Sequence, residues 1–125
     1  MESAISSESE NNQTLLTQVM DVLDLNKAED ILHIDLRGKS AIADDMLIVT
    51  GRSNRHVVAL SEFVETFLKP HSAQLKVEGK ENGDWVLVDN GDMIVHIFRP
   101  EVREFYNLEK IWVDPDLLAE KYRSI

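Results

Sequence analysis

No cysteine occurs in the 125 residues, which excludes disulfides, thiol nucleophiles and cysteine-ligated metals and suits a reducing compartment. Long hydrophobic runs are missing too. The longest apolar pieces, Met46–Val49 and Ile94–Phe98 with His96 inside it, are strand-sized, far short of the ~20 residues of a membrane helix. Basic residues are scarce: 13 Lys and Arg stand against 23 Asp and Glu, for a formal net charge of -10 and a pI near 4.7. Bare nucleic acid is a poor match for such a chain, because neutralising phosphates takes clustered Lys and Arg. A basic protein is a better one, with electrostatic steering to speed the encounter. The opening MESAISSESENNQT has neither the basic-apolar pattern of a secretion signal nor an Arg-rich amphipathic leader. The expectation is a soluble cytoplasmic protein. The length suits one compact domain, and 43% hydrophobic residues suffice for its core.

What the chain does have is a strong hairpin signal between Asp84 and Phe98, D-W-V-L-V-D-N-G-D-M-I-V-H-I-F. Asn90-Gly91 tolerates positive φ at both central positions, as a two-residue type I′ turn requires. That loop pairs Asp89 with Asp92, Val88 with Met93, Leu87 with Ile94, Val86 with Val95 and Trp85 with His96. Alternation then sorts the side chains onto two faces. Val86, Val88, Met93, Val95 and Ile97 make a wholly apolar core face. Trp85, Leu87, Asp89, Asp92, Ile94, His96 and Phe98 make a mixed one. Its centre is apolar and its ends are polar. It reads equally as a second buried layer or as a contact surface with an acidic rim.

Around the hairpin the chain divides into a disordered acidic tail over 1–13, one domain over 14–113 and a C-terminal extension over 114–125. Thr14 is the expected N-cap of a first helix with Leu15, Leu16, Val19, Val22 and Leu23 as its apolar stripe. Strands are expected at Asp30–Leu36 and at Met46–Thr50, the latter buried on both faces. Ser53 or Asn54 caps a helix with Val57, Leu60, Val64, Phe67 and Leu68 inward, and Lys69-Pro70 ends it. Gln74–Glu78 is a third strand. Pro100 opens a helix with Val102, Phe105 and Tyr106 on one side, and Pro115 a short terminal piece through Tyr122. Helices placed between pairs of strands imply an α/β fold: a single mixed sheet of about five strands packed with helices.

Several chemistries fail on spacing. A phosphate-binding loop ending in Gly38-Lys39-Ser40 would need Gly at 33, where His33 stands inside a strand. The four histidines, His33, His56, His71 and His96, lie on different elements and share no metal-ligand spacing. Gly51-Arg52-Ser53-Asn54-Arg55 lacks the final Gly of a nucleophile elbow. A nucleotidyltransferase reading, with the Gly51–Ser53 turn on phosphate and carboxylates on Mg²⁺, is the stronger enzyme idea. Asp84, Asp89 and Asp92 are nevertheless residues a hairpin uses at its turns, and no Asp-x-Asp pair sits mid-strand.

The same residues carry a family pattern. Asp30–Asp35 with Gly38-Lys39-Ser40, Asp44–Thr50, Gly51–Val57, Val77-Glu78-Gly79, Asp84-Trp85, Asp89-x-Gly91-Asp92-x-Ile94-Val95-His96, Phe105-Tyr106-x-Leu108-Glu109 and Ile111-Trp112 resemble the ribosomal silencing factor, or Iojap-like, family. The likeness runs in one order from about Leu16 to Trp112. It implies a nucleotidyltransferase-like topology without the catalytic carboxylates, no enzymatic activity and no cofactor or metal. It also implies docking on the large ribosomal subunit, on a basic protein of the intersubunit face (uL14, the fourteenth in the standard list). The bound factor would block joining of the small subunit and so repress translation. Organelle relatives act in large-subunit assembly, which leaves assembly without silencing as an alternative role. The face analysis then nominates Trp85 as anchor, Ile94, His96 and Phe98 around it, and Asp84, Asp89 and Asp92 toward basic side chains. Tyr106, Glu109 and Trp112 extend the patch. A homodimer of the free protein through the same apolar face would compete with docking.

Overall fold

The computed structural model describes the backbone of residues 4–113, and side-chain burial for residues 13–110. The terminal helix expected after Pro115 and the side chain of Trp112 lie outside the described residues. The order is α1 (Ala4–Leu25), β1 (Glu29–Asp35), β2 (Asp45–Thr50), α2 (Asn54–Leu68), a 3-10 turn (Lys69–His71), β3 (Lys76–Glu78), β4 (Trp85–Asp89), β5 (Met93–Phe98), α3 (Pro100–Tyr106) and α4 (Leu108–Val113). One five-stranded sheet runs β1-β2-β5-β4-β3. Its central pair, β2 and β5, is parallel and the other pairs are antiparallel. Both central strands are buried at every residue, as continuous apolar runs with cover on two faces require.

On one face α1 and α2 supply Leu16, Val19, Leu23, Val57, Leu60, Val64 and Leu68 against Leu47, Val49, Val86, Val88, Met93, Val95 and Ile97. The apolar hairpin face is the core face the alternation predicts. Helix α2 begins where the sequence says. Ser53 is extended, and its hydroxyl accepts the His56 N–H at 3.1 Å, satisfying one of the first orphan donors. Helix α1 differs. It begins at Ala4, not at Thr14, so 4–13 is helical where a disordered tail is expected. The Ser, Glu, Asn and Gln of that stretch lack an apolar stripe but contain no Gly or Pro to stop a helix extending outward from Leu16.

The hairpin register also differs from expectation. Asp89 pairs with Ile94, Val88 with Val95, Leu87 with His96, Val86 with Ile97 and Trp85 with Phe98. A type I′ turn needs positive φ at both Asn90 and Gly91, and only Gly91 has it, at +98°. Asn90 instead turns its side-chain oxygen onto the N–H groups of Asp92 (3.1 Å) and Met93 (2.7 Å), while Asp89 accepts the Gly91 N–H at 2.8 Å. These local bonds make a longer loop. The Asp92 carbonyl then accepts N–H bonds from both Asp44 and Asp45, so the tip is tied to the start of β2. The slip is two residues, one full pleat period, so both faces keep their members.

The other face is a second buried layer. Ile34, Leu36, Ala43, Met46, Ile48, Ile94 and Phe98 cluster there, with Leu32, Trp85, Leu87, Val102 and Leu108 packed at the margin. Arg103 holds α3 and α4 onto it. Its guanidinium donates to the Asp30 carbonyl (2.6 Å) and the Thr50 hydroxyl (2.8 Å) and pairs with Glu109 at 2.9 Å, with only 13% of the side chain exposed.

Candidate docking site

The aromatic residues of the second face meet at one margin. The Trp85 ring lies 4.8 Å from Phe98, 5.0 Å from Tyr106 and 5.7 Å from His96 between centroids. Such tilted contacts between aromatic rings are favourable by about 0.5–1.5 kcal/mol each beyond the area they bury. Trp85 is half-buried, Tyr106 is 50% exposed and Phe105, edge-on to Tyr106 at 5.1 Å, is 80% exposed. The backbone under Trp85 is fixed by Gly79. A Cβ there would stand 2.1 Å from the Trp85 carbonyl oxygen, and its φ is +96°, so only glycine fits.

The nominated residues divide by depth. Phe98 is fully buried, and Ile94 and His96 are buried at 7% and 9% exposure. Phe98 and His96 lie against the Trp85 ring, whereas Ile94 is opposite Asp89 at the hairpin-tip end of the same buried layer. Asp84 sits at the Trp85 end, clamped by Arg99 (2.8 Å) and by the Asn54 side-chain amide (3.1 Å). Asp89 and Asp92 stand at the opposite end of β4, roughly 16 Å away at 3.3 Å per residue, and belong to the hairpin tip. Glu109 is engaged by Arg103. The structure therefore gathers Trp85, Tyr106, His96, Phe98 and Asp84, and leaves Asp89 and Asp92 apart.

His96 and Trp85 share a hydrogen bond. The indole N–H donates to His96 Nδ1 at 3.0 Å. An indole can only donate, so Nδ1 is the acceptor and the ring proton of the neutral histidine is on Nε2. Burial lowers the His96 pKa from 6.5 to about 4, against the pull of the Asp89 charge, which raises it.

The turn nominated for nucleotidyl transfer is engaged in structural contacts. The Ser53 hydroxyl is engaged in the helix cap, the Arg52 N–H donates to His56 Nδ1 at 2.9 Å, and Asp84 is held in its clamp. Asp89 and Asp92 do not converge on that turn. Among the described residues no group of three or more His, Asp and Glu could hold a metal ion.

Three features escape the sequence. Phe105 is the most exposed aromatic of the margin, and its place beside Tyr106 on the apolar side of α3 was the available sign. Arg103 reads there as one of the solvated charges, since nothing local shows that it reaches back to Asp30. Asp45, 3% exposed, accepts from His33 Nε2 at 2.7 Å and from both terminal nitrogens of Arg37 at 3.3 and 3.4 Å.

A family model described as "Ribosomal silencing factor during starvation" matches residues 8–124. The chain belongs to the ribosomal silencing factor family. A ribosomal silencing factor of Zymomonas mobilis is 48% identical over 101 residues, covering 80% of this chain and 76% of its own. A mouse protein named "Mitochondrial assembly of ribosomal large subunit protein 1" is 33% identical over 78% of this chain and 44% of its own length. A crystal structure of a Chromobacterium violaceum protein has a TM-score of 0.76 at 37% identity, covering 80% of this chain and 84% of the other. Membership thus rests on most of the chain in sequence and in fold. No helix among the described residues is long and apolar enough to cross a membrane.

Proposed function

We propose that this silencing-factor chain docks on the intersubunit face of the large ribosomal subunit, on a basic ribosomal protein such as uL14, and sterically blocks joining of the small subunit. The observation that carries the reading is the aromatic margin of Trp85, Tyr106 and Phe105 on a chain of net charge -10. Exposed aromatics on a rigid frame are the groups that anchor protein interfaces. A net acidic chain suits a basic partner and speeds its approach. Phe98 and His96 support the anchor from beneath. Repression needs no catalytic step. A standard interface of about 1,600 Å² that overlaps a subunit bridge is enough. The protein then works in the cytoplasm with the ribosomes it silences.

Sedimentation of purified subunits through sucrose, with and without the protein, tests this. Co-migration with the large subunit and a smaller joined-ribosome peak are expected; protein left at the top with an unchanged peak refutes the reading. The name of the mouse relative favours a second role in large-subunit assembly. Association with precursor particles alone would select that role.

A further inference from the structure

We infer that His96 is a positioning residue for docking: its Nδ1, 3.0 Å from the indole nitrogen, fixes the plane of Trp85 before the partner arrives. This rests on the docking role proposed above and assigns the means by which the anchor is preorganised.

His96 is 9% exposed and offers a partner almost no surface. It pairs across the strands with Leu87 and stacks on Phe98, both apolar, with Asp89 the charge that acts on it, and a leucine or phenylalanine would satisfy the same packing. A buried imidazole costs free energy unless its polar atoms are matched. The match here is the Trp85 N–H. Burial keeps the ring neutral at physiological pH, so the Nδ1 lone pair is always available as an acceptor. Phe98 and Tyr106 contact the Trp85 ring at 4.8 and 5.0 Å. Apolar contacts of that kind tolerate rotation about the Cβ–Cγ bond, whereas a hydrogen bond from the single polar atom of the indole does not. The histidine thus selects one ring orientation from those the stack allows. An anchor held in its docked orientation loses less conformational freedom on association.

The test is a double-mutant cycle on the full chain: wild type, His96→Leu, Trp85→Phe and the pair, each titrated against purified large subunits. His96→Leu is expected to weaken binding about five- to tenfold, the scale of one hydrogen bond. In the Trp85→Phe background, where no indole N–H remains, it should change binding less than twofold. His96→Asn, which returns an acceptor at the same reach, should recover most of the loss. The Trp85 indole N–H resonance, identified by its absence in Trp85→Phe, should exchange slowly with solvent in the wild type and shift in His96→Leu. Equal losses in both backgrounds would make His96 merely structural and overturn the inference. Wild-type binding by His96→Leu, or free-indole exchange in the wild type, would overturn it too. The exchange measurement on the wild type needs only Trp85→Phe for its assignment and stands even if His96→Leu does not fold. A wild type that itself fails to bind large subunits overturns the docking role, and this inference with it.

Discussion

The buried imidazole makes the stability of the fold acid-sensitive in a way that one substitution removes. Burial holds the native His96 pKa at about 4, against 6.5 for the free side chain. Above pH 6.5 the residue is neutral in both states and contributes no slope. Between pH 6.5 and 4 the unfolded chain binds a proton that the native chain does not, so acid favours unfolding and stability falls with falling pH. The pKa difference corresponds to roughly 3 kcal/mol over the full window and about 2 kcal/mol between pH 7 and pH 5. Against a total of about 5–15 kcal/mol for a domain, that is a visible fraction. Urea unfolding of the wild type and His96→Leu at pH 7 and pH 5 isolates it, since every other titrating group is common to both proteins. The expected result is a drop on acidification smaller by about 2 kcal/mol in the variant. Parallel pH profiles would refute the argument, because they would mean that the imidazole takes up its proton in the folded chain as readily as in the unfolded one.

Trp85→Ala should leave a folded domain and weaken large-subunit binding by at least about 2 kcal/mol, roughly 30-fold in Kd; a folded variant binding within threefold of wild type would contradict the anchor role. Gly79→Ala should cost more than about 2 kcal/mol in urea unfolding, since both its φ and the Trp85 carbonyl oppose a methyl group. Arg103→Met should lose about 2 kcal/mol by removing the bonds to Asp30, Thr50 and Glu109, and hydrogen exchange should show α3 opening before the sheet. Binding to large subunits should weaken as salt rises, reporting the attraction of a net acidic chain to a basic partner.

Much of the fold was legible because its elements are locally specified. The stripe Val57, Leu60, Val64 and Leu68, the Ser53 cap and the alternation along Trp85–Phe98 each point to one structure, and the five strands and mixed sheet follow. The hairpin register was not, because Asn90-Gly91 suits a short turn but the side-chain bonds of Asn90 and Asp89 favour a longer loop. That choice depends on the ties from Asp44 and Asp45 to the Asp92 carbonyl, which no local pattern reveals. The start of α1 was missed for a different reason: a polar helix extending from a packed one has no periodic signature of its own. At the candidate site the sequence brought out Trp85, His96 and Phe98 as one face, yet alternation cannot say which of them reaches water. Depth was set by α3 and α4, and these are placed by Arg103, whose contacts lie 73 and 53 positions away along the chain at Asp30 and Thr50.

The aromatic margin is assembled from two separately mounted parts. Trp85 belongs to the hairpin, pinned by Gly79 and by the sheet itself; Phe105 and Tyr106 ride on a seven-residue helix whose seat on the sheet is secured by the Arg103 guanidinium. The spacing between the halves is therefore a variable independent of their chemistry. Substitutions at the Arg103 seat can widen or narrow the gap between anchor residues while every contacting side chain stays the same. On the docking role proposed above, affinity for the large subunit would be graded across a lineage, or weakened in one step, without altering any residue of the proposed contact surface.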